Sequence, residues 1–197
     1  MPKITEAARS ERRSRFIDAA RRCAATRGYH DFSVDEVCLE AGQSKGAFYV
    51  HFDSKLALLL ALLDDETARV EQQLAALEES ATGYADRIAR FARLMLAEAD
   101  DPAKVQLRTD LWAAALIEPR IRERFVAEID RRRRRVRAWI EAGIASGEVA
   151  EVPANALASI LLALTDGLVL HGAVDPSGFR WANIRRAIEV ILEGLRK

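Results

Sequence analysis

Ser44, Lys45, Gly46, Tyr49, His51 and Lys55 set a hydroxyl, two ammonium groups, a phenol and an imidazole along one short stretch of the chain. Such groups donate to phosphate oxygens, and Gly46 beside Ala47 keeps the start of a helix thin enough for its backbone to approach a duplex. Gln43 and Val50 are types that read bases, an amide pairing with adenine in bidentate fashion and a branched apolar group meeting a thymine methyl. Each is equally readable as a solvent-facing residue with no base contact. Catalytic chemistry is poorly supplied. No HExxH, GxSxG, Walker or paired Cys/His spacing occurs, and the scattered His30, His51 and His171 form no metal cluster, so neither an enzyme nor a cofactor is implied. The acid pairs Asp64-Asp65 and Asp100-Asp101 fall at a helix surface and a turn, where solvation explains them. Cys23 and Cys38 cannot make a disulfide framework, and both sit on inward stripes as buried hydrophobes.

The elements that must position these groups read as all-α, because almost every segment has helical period and bounded β-branched runs are missing. A first helix is expected from Ser10 to Arg27, with Phe16, Ala19, Ala20, Cys23 and Ala24 on one stripe. Ser33 and Glu36 form a capping box that starts a second helix through Glu40. Gly42 permits a left-handed turn, Ser44 caps a third helix of about seven residues, and Asp53 or Ser54 caps a fourth that runs to Glu79. Helix, glycine turn, short helix is a helix-turn-helix. Five more helices follow: 84–98, 103–116, 119–145, 153–171 and a ninth ending near Leu195. The division expected is 1–55 and 56–197, joined through the fourth helix and therefore rigidly coupled. Phe16, Phe32, Phe48 and Phe52 are expected to fill the core of the smaller part, with Tyr29 and Tyr49 beside them.

The chain of 197 residues has 30 basic and 30 acidic side chains, and zero net charge argues against nucleic acid as a partner. Division by region removes the objection. Residues 1–27, counting Lys3 and seven arginines, carry +5, residues 28–55 carry −3, residues 56–130 carry −6 and residues 131–197 carry +4. The part that holds the helix-turn-helix is only +2, so sequence-indifferent DNA affinity is expected to be weak and specific binding to rest on local contacts. No apolar leader opens the chain, and the stretch 154–170 is too short and too polar to span a bilayer, so a cytoplasmic protein without membrane attachment is expected.

The stretch FSVDEVCLEAGQSKGAFYVHFDSKLALL resembles the signature of the TetR family of bacterial transcriptional regulators, and the nine-helix plan is similar over the whole chain. The resemblance implies that Ser33 is a cap that also touches phosphate. It further implies that Ser44, Lys45 and Gly46 open the recognition helix, and that Tyr49, His51 and Lys55 meet phosphates. Gln43 and Val50 depart from the family, which usually has an apolar residue and a larger polar or aromatic one there. From Trp112 through Asp166-Gly167-Leu168 the chain is weakly similar to BetI-like members.

The family's larger domain binds a small molecule and dimerises through its last two helices. Here the eighth helix offers Leu157, Ile160, Leu161 and Leu164 and the ninth Ile184, Ile188, Ile191 and Leu195, each helix being apolar over more than one face. Either a homodimer or a deeper monomeric core follows. Phe91, Met95, Trp112, Phe125, Trp139 and Leu168 are the large inward candidates for an effector pocket, though each is singly a core type as well. The run Arg131 to Arg135 crosses the buried stripe of the seventh helix, so Arg132 or Arg133 lies near the inward face. It pairs with a carboxylate such as Asp110 or Glu98, snorkels to water, or meets an anionic ligand. A ligand-released repressor on a palindromic operator is the implied function; a helical protein-binding adaptor without DNA is the alternative.

Overall fold

A computed structural model describes residues 5–28 and 31–196; Lys3, Tyr29 and His30, counted above, lie outside them. Among the described residues there are nine α-helices. They are α1 (Glu6–Arg27), α2 (Val34–Ala41), α3 (Lys45–His51), α4 (Lys55–Ser80), α5 (Tyr84–Leu96), α6 (Pro102–Ile117), α7 (Pro119–Ser146), α8 (Ala154–Val174) and α9 (Trp181–Glu193). α1 begins a turn before Ser10 because Thr5 caps it, its hydroxyl accepting from the Ala8 N–H at 3.3 Å. The last turn expected of α5 tightens instead into a 3-10 turn, Ala97–Asp100. Ser54 caps α4, accepting from the Ala57 N–H at 3.1 Å.

Two compact units are present, 1–68 with 106–124, and 69–105 with 125–197, so the boundaries fall inside α4, α6 and α7. In the first unit α1 packs on α2 and α2 on α3. Its core holds Phe16, Phe32, Phe48 and Phe52, all buried as the sequence predicts. Phe16 meets Phe48 and Phe52 edge to face at 5.5 and 6.2 Å, the arrangement that aromatic quadrupoles favour. Cys23 and Cys38 are buried thiols. Gly42 closes α2 at φ 63°, ψ 35°, a left-handed conformation that a Cβ disfavours.

In the second unit α5 packs against α8 and α9. A core of Leu74, Ile88, Phe91, Met95, Val136, Trp139, Ile140, Leu161 and Ile188 joins them. α8 as formed is longer than the apolar stretch in the sequence, and by length and composition alone it is long and apolar enough to cross a membrane. The expectation that the stretch is too short and too polar is corrected in that respect alone, since the core helix of a soluble protein has the same length and composition. Its buried side carries Leu161, Leu162, Thr165, Asp166 and Val169.

Candidate nucleic-acid interface

The interface is built from two caps and one turn. Ser33 Oγ accepts from the Glu36 N–H at 3.2 Å while Glu36 Oε2 accepts from the Ser33 N–H at 2.7 Å, the reciprocal capping box that fixes the start of α2. These bonds and Arg27 hold the Glu36 carboxyl below the usual carboxylate range. Ser44 Oγ accepts from the Ala47 N–H at 3.1 Å and starts α3.

α3 then presents one face outward. Lys45, Gly46, Tyr49 and Val50 are exposed, at positions one and four apart that lie together on a helix, while Phe48 beneath them is buried. Tyr49 stands edge to face on Phe48 at 5.3 Å. A Cβ at Gly46 would meet nothing nearer than Ser44 Oγ at 3.8 Å, so packing within the chain does not require glycine there. Residues 9–15 of α1 are exposed as well, and Arg13 lies over the Phe52 ring at 5.3 Å.

Three of the residues expected to contact DNA have partners within the chain. Gln43 turns back to α1, its Nε2 donating to the Arg12 carbonyl at 3.2 Å, so it ties the α2–α3 turn to α1 and its amide direction is set by that bond. Lys55 donates to the Phe32 carbonyl at 2.5 Å and sits 4.3 Å from the centre of the Phe32 ring, which makes it a tie between α4 and the segment before α2. Burial pushes its ammonium below the ordinary lysine value. His51 is half-buried, 6.0 Å from Phe16, and burial followed by the charges of Arg9, Arg12 and Arg13 pushes its imidazole below the ordinary histidine value.

Sequence reasoning missed the acidic partners of the basic groups. Lys45 Nζ lies 2.8 Å from Asp35 Oδ1, Arg22 Nε lies 2.5 Å from Glu40 Oε1, and Arg27 pairs with Glu36. Arg21 is held by Asp18, Asp65 and Glu66 at 2.5 to 2.6 Å, which commits it to joining α1 to α4. Separations of ten or eighteen residues across a turn have no helical period, so no sequence signal marks these pairs.

The residues expected to meet an effector fall in both units. Trp112 is half-buried in the first. In the second, Phe91, Met95, Phe125 and Trp139 are buried and Leu168 packs against the core. Phe91 and Trp139 meet at 6.2 Å, and Trp139 Nε1 donates to Glu78 at 2.9 Å. Arg132 is the inward arginine, with Nε 3.2 Å from Glu128 Oε1 and a terminal nitrogen 3.8 Å from Met95 Sδ. Glu128, one turn back on α7, is thus a carboxylate that it meets. Arg133 is half-exposed and pairs with Asp130. A cleft of about 250 Å³ in the first unit, lined by Lys55, Leu56, Leu59, Ala114, Ile117, Glu118 and Ile121, contains none of the expected effector residues.

Of the eight residues expected at a partner surface, Leu161 and Ile188 are buried in the chain's own core, which corrects their assignment. Ile160 and Ile191 are exposed, and Leu157, Leu164, Ile184 and Leu195 are half-buried.

Comparison with known proteins covers both parts. Residues 16–62 match the model of bacterial regulatory proteins of the tetR family, and residues 84–197 match that of the BetI-type transcriptional repressor C-terminal domain. The HTH-type transcriptional repressor AcnR of Corynebacterium diphtheriae is 25% identical over 197 residues, spanning 100% of this chain and 97% of that protein. The HTH-type transcriptional activator FasR of Mycolicibacterium smegmatis is 47% identical over 55 residues, only 28% of this chain and 25% of that one. Among solved structures, a transcriptional regulator from Saccharomonospora viridis in complex with choline superposes with a TM-score of 0.84 at 25% identity, over 95% of this chain and 99% of that chain. A regulator from Haloarcula marismortui, at 20% identity, shares the fold with a TM-score of 0.86, over 95% and 100% of the two chains.

Proposed function

The chain belongs to the TetR family of bacterial regulatory proteins and is a transcriptional regulator, not an enzyme; from that premise we propose that it is a homodimeric repressor released from a palindromic operator by a small molecule. The observation that carries the reading is the outward face of α3. Four of its seven residues, Lys45, Gly46, Tyr49 and Val50, are exposed on a helix whose start is capped by Ser44 and whose body is anchored by Phe48. An ammonium, a bare backbone, a phenol and a branched apolar group are what a major groove and its phosphate walls require of an inserted helix.

In this reading residues 1–55 read DNA and residues 56–197 hold the effector and the second subunit. Ser44 has a hydroxyl beside a helix N-terminus for a phosphate oxygen, Ser33 a hydroxyl that would leave Glu36 to reach one, and His51 adds an imidazole. The effector would meet Phe91, Met95, Trp139 and Leu168 with Arg132, whose guanidinium lies beside Met95. Choline bound in a solved relative supports a small-molecule effector for this chain without fixing its chemistry. Repression is favoured because a bare DNA-binding dimer blocks polymerase with no activation surface. Effector binding acts by favouring a conformation in which the two recognition helices no longer meet both half-sites.

Selection of bound duplexes from a random pool tests the reading. Enrichment of a two-fold symmetric site, lost on joint replacement of Lys45 and Tyr49 in a chain that remains folded, is the expected result. No enrichment, or enriched sites without symmetry, refutes it.

A further inference from the structure

Three cations of the first unit are balanced from α2. α2 carries three carboxylates, and each faces a cation of a neighbouring helix: Glu40 faces Arg22 and Glu36 faces Arg27, both on α1, and Asp35 faces Lys45 on α3. Their duties differ. Glu36 also bonds the backbone and hydroxyl of Ser33, so it belongs to the capping box. Asp35 grips the first residue of the outward helix, its two oxygens 2.8 and 3.1 Å from Lys45 Nζ. Both partners are more than half exposed.

An exposed pair of this kind is weak, so a phosphate oxygen can take the carboxylate's place. Until it does, the lysine has already been neutralised. A cation that arrives with its own carboxylate releases fewer counterions from DNA than one that arrives alone, and phosphate contacts carry no base sequence. We propose that Asp35 is a built-in counterion for Lys45, so that DNA binding is an exchange of partners at this lysine and Asp35 sets the sequence-indifferent part of the affinity. This rests on the DNA-binding reading above and deepens it. Lys45 is raised above the ordinary lysine value by its hydrogen bond to Asp35, as an established pair requires.

The test is a salt titration of the whole chain against a selected operator and a scrambled duplex of equal length, followed by fluorescence anisotropy. Asp35→Asn should tighten both duplexes by a similar factor, roughly three- to tenfold at about 50 mM salt, and steepen the log affinity against log salt slope by about 0.9. Asp35→Glu, which keeps the charge, should retain the original slope. Lys45→Gln should flatten the slope, and Asp35→Asn added to Lys45→Gln should then change it little. Asp35→Ala serves in place of Asn if the amide perturbs the start of α2, with thermal melting as the control. A slope unmoved by Asp35→Asn, or moved equally with and without Lys45, overturns the inference while leaving the DNA reading intact. Failure of the unaltered chain to bind either duplex overturns both.

Discussion

At Gly46 the fold and the function make opposite demands. Its backbone is not among the left-handed glycines, and a Cβ there would touch only Ser44 Oγ at an ordinary distance. Gly42, four residues earlier, is the contrast: there is open space around it, but its φ of 63° is the constraint. Gly46→Ala should therefore stabilise the chain by about 0.5 to 1 kcal/mol, because alanine loses less backbone entropy on entering a helix. Gly42→Ala should destabilise it by about 1 kcal/mol. If α3 enters a groove, the methyl that helps folding obstructs approach, and operator affinity should fall about tenfold, or 1.4 kcal/mol. Urea unfolding and duplex titration on the same protein decide the matter. A Gly46→Ala chain that is more stable and binds as well as before would take the helix start out of the interface.

At the scale of elements, α7 shows how a single helix reconciles a run of five arginines with a buried face. Arg131 reaches Glu128, Arg133 reaches Asp130 and Arg135 reaches Glu71. Arg132 lies on the buried side with Glu128, one turn away. Breaking a buried pair from one side strands the other charge, at a cost of about 3 kcal/mol or more, whereas replacing both by apolar groups of similar volume is close to neutral. Glu128→Gln and Arg132→Met should each destabilise the chain. The double variant Glu128→Leu/Arg132→Met should recover most of the loss in urea unfolding. Equal and additive losses would mean that the two groups do not act as a pair. The position of Arg132 was legible because 100° per residue forces one of five arginines inward. The contact with Glu128 was not, since a carboxylate on the same stripe competes with any on a neighbouring helix. The same distinction runs through the interface. Ser33, Glu36, Gly42 and Ser44 were legible because caps and left-handed turns are local chemistry with fixed offsets. Gln43 on the Arg12 carbonyl, Lys55 on the Phe32 carbonyl and Asp35 on Lys45 were not, because they join segments whose approach is set by packing of the aromatic core.

At the scale of the molecule, the question is what covers α8 and α9. Ala156, Ile160 and Ala163 follow one another at four and three residues on the exposed side of α8, and on α9 the exposed Val190 and Ile191 lie three and four residues after the exposed Ala187. Leu161 and Ile188 beneath them already belong to the chain's own core, so each helix has one apolar side spent and another uncovered. Two such helices from each of two chains would form a bundle with apolar groups at its centre. Because Ile160 and Ile191 are exposed, Ile160→Glu/Ile191→Glu should leave the unfolding energy of the single chain within about 0.5 kcal/mol. In a dimer the same glutamates would bring carboxylates together in a dry interface, where unpaired charge costs several kcal/mol. Sedimentation should therefore give twice the chain mass for the unaltered protein and the single mass for the variant. The consequence for DNA is larger than for stability. A monomer meets one half-site and loses the gain from linking two binding events, about 10² to 10⁴ in affinity, while each recognition helix remains intact. A variant that stays dimeric removes α8 and α9 as the interface. A monomeric variant with undiminished operator affinity would separate DNA recognition from dimer formation altogether.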